Sequence, residues 1–270
     1  MTTMTSRSVT ATAPTNELRW WASDAYAMLH RQVVHMLRTP QIMVYSVLQP
    51  IMYLLLFVFV FGGAINAPGG DYVQFVVPGV FAQAVLINSV GGATVNFNDD
   101  MGKGIIDRFR SLPMTRSSVL AGGVAAEVVR NVITVVILLL GGLACGYGFG
   151  GSFGAVLAGF GLLLLFGFAF AWVAALIGLS VGSPQAAQAI GVIWLPFVFV
   201  SSAFVPAASM PGWLQVYAAH SPVSVTSDTV RALFNGTPVG SAGWQAVAWC
   251  VGIVLVFVPW AVAKYSSTAR

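Results

Sequence analysis

Six stretches of this sequence, 19 to 29 residues long, contain no charged side chain, and a helix needs about twenty residues to cross about 30 Å of hydrocarbon. They are Ile42–Gly62, Phe75–Asn96, Asn131–Phe149, Phe153–Val181, Ala186–Val205 and Trp244–Ala263. Composition supports the same reading, since 57% of the 270 residues are hydrophobic and only 7% are charged. A soluble domain carries about a quarter charged residues. A single soluble core large enough to hide so much apolar surface is excluded, because cores stop growing near ~250–300 residues while their surfaces stay polar. The sequence therefore predicts an all-α integral membrane protein with six transmembrane helices, its membrane domain running over residues 42–263. The fourth stretch is long enough to tilt. The third is the weakest, since Gly141, Gly142, Gly146, Gly148 and Gly150 crowd its far end.

The basic residues orient these spans. Arg7, Arg19, Arg31 and Arg38 precede the first. Lys103, Arg108, Arg110 and Arg116 follow the second, and Lys264 and Arg270 follow the last, so ten of the twelve Lys and Arg side chains fall on one side. Lys and Arg accumulate on the cytoplasmic side, which predicts that both termini, Asp107 and Lys264 are inside and that Asp71 and Asp228 are outside. Arg130 lies near the cytoplasmic side, and only Arg231 falls opposite.

Residues 1–16, rich in Thr, Ser and Ala, lack the apolar core of a signal peptide and read as a disordered cytoplasmic tail. Residues 17–40 read as an amphipathic helix. Leu18, Trp21, Ala25, Leu29, Val33 and Met36 or Leu37 recur at helical spacing, and Pro40 ends the segment. Trp20, Trp21, Arg31 and Arg38 suit the headgroup level, so this helix is expected to lie along the inner leaflet; the alternative is that it packs on other protein. Val119–Arg130 resumes helical character ahead of the third stretch, and Glu127 and Arg130, three apart, can pair on one face at the entry to that span. The long connection Pro206–Gly243 carries apolar pieces broken by Pro211 and Pro222, which fits short re-entrant helices before the last span. Residues 264–270 form a short cytoplasmic tail.

Several kinds of chemistry are missing. There is no GxxxxGK[ST] loop to cradle phosphates; the nearest string, Met101-Gly102-Lys103-Gly104, lacks the Ser/Thr and the upstream Gly. No metal spacing joins Cys145, Cys250, His30, His35 and His220, and both cysteines sit in apolar stretches as small hydrophobes. No stretch buries a charge of the kind that couples secondary carriers to ions. Asp99-Asp100 has no second acidic cluster with which to hold a metal–diphosphate. Gln83, Asn88, Asn96 and Gln188 are polar groups inside the stretches that can line a pathway or satisfy a neighbouring helix.

The polar loop Asp99-Asp100-Met101-Gly102-Lys103-Gly104-Ile105-Ile106-Asp107-Arg108-Phe109-Arg110-Ser111-Leu112-Pro113-Met114-Thr115-Arg116 resembles the first cytoplasmic loop of the ABC type-2 permeases. It is closest to the daunorubicin-resistance-type subfamily, in which an acidic residue precedes a Gly and a D-R-F-R-S-L-P string. Val77-Pro78-Gly79, Ser201–Pro206 leading to Met210–Leu214, and His220–Val223 through Arg231–Gly236 agree with it. The resemblance implies a dimeric membrane subunit of an ATP-driven exporter in a bacterial plasma membrane, without an ATPase site of its own. ATP and magnesium would be bound by a separate nucleotide-binding subunit. Asp99, Asp100, Gly102, Gly104, Asp107, Arg108, Arg110 and Pro113 would then form the ATPase-coupling loop, with the N-terminal helix beside it. The expected cargo is a hydrophobic or amphipathic compound, a drug or antibiotic; the alternatives are a lipid or glycan exporter of the same architecture and, from other classes, a secondary carrier or channel or a membrane enzyme.

Overall fold

A computed structural model describes residues 17–63, 65, 71–102 and 116–267. Every regular element among them is helical. Helix α1 (Glu17–Arg38) is followed by α2 (Pro40–Leu55), which runs into a π-helical turn, Leu56–Phe61. Then come α3 (Tyr72–Ile87), a second π-helical turn (Asn88–Gly92) and α4 (Ala93–Gly102), which together make one nearly continuous rod. α5 spans Arg116–Ala144, α6 Phe153–Ser180 and α7 Pro184–Phe199. The short helices α8 (Gly212–His220) and α9 (Pro222–Asn235) precede α10 (Ala242–Ser267).

Local chemistry sets these boundaries. Pro40 occupies the first turn of α2, where its missing N–H is harmless. Asp71 caps α3 by accepting from the Val73 amide at 3.0 Å. Ser152 and Ser183 cap α6 and α7 in the same way, each accepting an amide hydrogen bond at 3.3 Å. α9 stops at Gly236, whose φ of +71° is the left-handed conformation that favours glycine at this position.

Four helical stretches are long and apolar enough to cross a membrane: Tyr72–Asp99, Ser118–Ala144, Phe153–Ser180 and Ala242–Tyr265. Val47–Phe61 and Pro184–Phe199 are shorter apolar helices. The helix carrying the third apolar stretch differs from the sequence boundaries of 131–149. It starts at Arg116 and stops at Ala144, where the chain turns through Gly146 at φ +90°. Glu127 and Arg130 thus lie inside a long apolar helix. The fifth stretch, read as 186–205, is helical only from Pro184 to Phe199. Beyond Val200 the chain folds inward, burying Ser201, Ser202, Ala203 and Phe204.

The most apolar windows of the α3–α4 rod and of α6 are 83% and 78% buried, whereas those of α5 and α10 are 39% and 22% buried. The rod and α6 are therefore the central pair, and α5 and α10 turn apolar faces outward. One core cluster gathers Phe81, Phe166, Phe204 and Phe234. A second, towards the other end, gathers Met28, Phe97, Leu120, Trp172 and Tyr265. α1 is docked along the start of α5, where a Cβ on Gly122 would come within 2.5 Å of the Met28 Cβ. Met28 is the buried centre of this contact, although the periodic stripe read from the sequence did not include it.

Gly79 sets the closest backbone approach in the core. A Cβ there would sit 1.9 Å from the Ala203 carbonyl oxygen and 2.6 Å from its carbon. Backbone cannot swing aside as a side chain can, so Gly79→Ala is expected to destabilise the protein by about 1–3 kcal/mol. Gly252→Ala, where nothing lies within 4 Å, should do no harm. Thermal unfolding in detergent compares them; equal melting temperatures would contradict the close approach.

Candidate functional site

The expected coupling loop lies largely outside the described residues: Gly104, Asp107, Arg108, Arg110 and Pro113 all fall there. Its two flanks are described. α4 carries the chain into it, with Asp99 half-buried and Asp100 and Gly102 in the helical backbone, and α5 leaves it at Arg116. α4 is fastened to α6 by Asn98, whose Nδ2 donates to the carbonyls of Gly178 (3.3 Å) and Val181 (2.5 Å) at the end of that helix. Gly178 permits the approach, since a Cβ there would stand 2.7 Å from the Thr94 carbonyl oxygen. Sequence reading passed over Asn98. The available signal was a polar side chain two residues beyond Asn96, at the end of an apolar run.

Trp20 and Trp21 belong to the helical backbone of α1, and their side chains lie outside the described residues. Arg31 is half-buried and Arg38 exposed.

The α3–α4 rod and α5 share a polar seam. Glu127 and Arg130 are each only 5% exposed and form an ion pair. Asn96 on α4 donates to Glu127 Oε1 at 3.1 Å. Arg130 donates to the carbonyl of Asn88, at the start of the π-turn, at 2.6 Å. Asn88 donates to Thr134 Oγ1 at 3.1 Å, and Asn131 donates to Ser89 Oγ at 2.7 Å. A charge in an apolar surrounding is tolerated when paired and hydrogen-bonded, and this seam supplies both conditions.

Two cavities flank the seam. A cleft of about 340 Å³ is lined by Gln49, Asn88, Gly91, Gly92, Arg130 and Gln188, with aliphatic residues between them. A smaller one, about 40 Å³, lies between α1 and the rod and is lined by His35, Asn96, Glu127 and Arg130. Of the four pathway candidates, Asn88 and Gln188 share the cleft and Asn96 faces the small cavity. Gln83 is 1% exposed in the core, and its Oε1 finds no hydrogen-bond partner among the described residues.

The opposite end of the bundle carries a second polar cluster that sequence reading did not assemble. Arg231 on α9 pairs with Asp228, donates to the carbonyls of Phe75 (2.8 Å) and Ser202 (3.0 Å), and stacks over the Phe75 ring at 3.7 Å. Ser202 Oγ donates to Asp228 Oδ1 at 2.9 Å. Burial pushes the Arg231 guanidinium below its ordinary pKa, and the Asp228 carboxylate works against that shift. Tyr147 donates to Asn235 Oδ1 at 3.0 Å, and Asn235 Nδ2 donates to the Gln74 carbonyl at 3.0 Å. The available signal was that Arg231 is the sole basic residue opposite the rest, with an acid three positions earlier.

Long apolar helices with their charges paired inside the bundle define a multi-pass helical membrane protein. Over residues 24–235 the sequence matches the ABC-2 type transporter family, and the chain belongs to that family. It is 35% identical over 223 residues to the daunorubicin resistance ABC transporter permease protein DrrB1 of Streptomyces coeruleorubidus, covering 81% of this chain and 77% of that one. It is 23% identical over 241 residues to a protein of Mycobacterium tuberculosis named "Probable doxorubicin resistance ABC transporter permease protein DrrC", covering 89% and 87%. Membership makes this chain an ABC transporter permease and implies an ATP-binding partner.

Proposed function

We propose that this chain is the six-span membrane subunit of an ATP-driven exporter, with both termini cytoplasmic, acting as a homodimer on two separate ATPase subunits in a bacterial plasma membrane. α2 with its π-turn, and α7, would supply the two spans beyond the four long ones, and α8 and α9 would be the re-entrant pair before α10. The segment between α4 and α5, together with α1, would receive the ATPase. Closure of the ATPase on ATP would pass through that segment and switch the spans between inward and outward access. The cargo is proposed to be a hydrophobic or amphipathic compound, a drug or antibiotic.

The observation that carries this reading is the Asp107-Arg108-Phe109-Arg110-Ser111-Leu112-Pro113 string between α4 and α5, within a chain whose family match spans residues 24–235. The drug-resistance names of the two relatives support the class of cargo. The polar-and-apolar lining of the 340 Å³ cleft suits an amphipathic molecule.

Energy source provides the test. The purified chain alone should hydrolyse no ATP. Vesicles holding the chain with its ATPase should export a fluorescent amphipathic drug when the proton gradient is collapsed and ATP is kept constant. Efflux that follows the proton gradient at fixed ATP would transfer the chain to the secondary carriers.

A further inference from the structure

We infer that Arg130 is a positioning residue that latches the π-turn Asn88–Gly92, linking the ATPase-coupling segment to the wall of the cleft; the inference rests on the exporter reading above.

The rod leading into the coupling segment is not regular. At Asn88–Gly92 it widens to a π-helical turn, and such turns inside long helices recur at functional sites. The wider turn changes the backbone pairing, and the Asn88 carbonyl at its start accepts from the Arg130 guanidinium at 2.6 Å. The guanidinium also lies against the turn itself. A Cβ on Gly92 would come within 2.3 Å of one terminal nitrogen and 2.7 Å of the central carbon, so only glycine admits the side chain in this pose. Glu127, one helical turn before Arg130, neutralises it and accepts from Asn96 on α4 at 3.1 Å. The Glu127–Arg130 pair thus grips the rod at both ends of the π-turn, at its first residue, Asn88, and beyond its last at Asn96.

The same atoms border the cleft, which is lined by Asn88, Gly91, Gly92 and Arg130. α4 carries Asp99, Asp100 and Gly102 of the coupling segment in its last turn. A rotation of α4 started there moves Asn96 against Glu127. It cannot do so without shifting Arg130 relative to the Asn88 carbonyl and the two glycines of the wall. A plain staple between two helices would need the ion pair but not the carbonyl contact, the glycine at 92 or the π-turn.

The test separates these roles. Glu127→Gln/Arg130→Gln removes both charges together, so neither is left buried without its counter-charge, and the variant should insert and assemble. Glutamine at 130 lacks the fork that reaches the Asn88 carbonyl and Gly92 together. In vesicles with the ATPase, ATP hydrolysis should change by less than about twofold while drug efflux per ATP falls at least about tenfold. Efflux retained by the double variant, or lost only in step with hydrolysis, would reduce the pair to a staple and overturn the inference. Gly92→Ala should lose efflux alone and add no further loss to the Glu127→Gln/Arg130→Gln variant, since the clash it creates is with the Arg130 guanidinium; additive losses would count against the latch. Hydrogen exchange on the purified chain needs neither ATP nor partner. Amides of residues 88–97 should exchange at least about tenfold faster in the double variant, and unchanged exchange there would overturn the latch even if the exporter reading held. A wild-type complex that exports without ATP would instead remove the exporter reading while leaving the exchange result to judge the latch.

Discussion

Arg108→Ala and Asp107→Ala should leave the permease inserted in the membrane but weaken its hold on the ATPase and abolish efflux. Both residues belong to the most polar internal segment of a chain that is 57% hydrophobic. If the segment docks in a groove on the ATPase, at least one of these charges sheds much of its water there and is matched by a partner group. Truncating one side of a desolvated, hydrogen-bonded charge pair costs about 2–5 kcal/mol, or about 30-fold to several thousand-fold in affinity. A charge facing headgroups or the rim of an interface costs under about 1 kcal/mol, so Arg19→Ala, at the start of α1, should do much less. Co-purification of the ATPase with each variant, read beside drug efflux at matched expression, measures the difference. Normal association and normal efflux in both loop variants would leave the segment as a solvated, positive-inside connector.

The second large effect is expected at Arg231, where one guanidinium joins three parts of the chain: α3 through the Phe75 carbonyl and ring, the inward fold after α7 through the Ser202 carbonyl, and α9 through Asp228. Breaking a buried charge pair typically costs about 3–5 kcal/mol. The Arg231 side chain is 14% exposed but that of Asp228 is 46% exposed, so the abandoned carboxylate can rehydrate. The loss then comes from two carbonyls left without this donor and from the lost stacking, and Arg231→Ala should sit near the lower end, about 3 kcal/mol. For a protein of this size that is a fall of roughly 6–12 °C in melting temperature. Arg231→Lys should recover only part of it, because a single ammonium cannot span acceptors that a planar fork reaches together. A melting temperature within 2 °C of wild type, on a scale where about 1 kcal/mol shifts it by 2–4 °C, would show that the cluster holds nothing together.

The two charge clusters differ in how far they could be read beforehand. Glu127 and Arg130 are three residues apart on one helix, so their pairing follows from helical geometry. Their other partners do not. Asn96 is 31 residues from Glu127 in sequence and the Asn88 carbonyl is 42 residues from Arg130. The π-turn was equally invisible, since Asn88-Ser89-Val90-Gly91-Gly92 lies within an uncharged run and its polar and glycine residues do not by themselves separate a widened turn from a regular one. Asp228 and Arg231 repeat the pattern: the local pair is legible, while the carbonyls of Phe75 and Ser202 are 156 and 29 residues away from Arg231.

By itself the sequence determined the class of this protein, because long uncharged stretches leave the backbone no hydrogen-bonding partner in lipid except itself, and that requirement selects helices. It also determined the family resemblance, which rests on a string of charged residues in an apolar chain, and the existence of α1, whose apolar residues recur at helical spacing. Only the tertiary structure decided which helices are central. α6 and α10 are both uniformly apolar, yet their most apolar windows are 78% and 22% buried. Apolar composition cannot distinguish a protein neighbour from lipid, because the two environments are nearly equivalent for a hydrocarbon side chain. What separated them was close approach at glycines such as Gly79, Gly122 and Gly178, and hydrogen bonds such as those of Asn98, Arg130 and Arg231. Each of these depends on a partner remote in the chain, whose position no local pattern encodes.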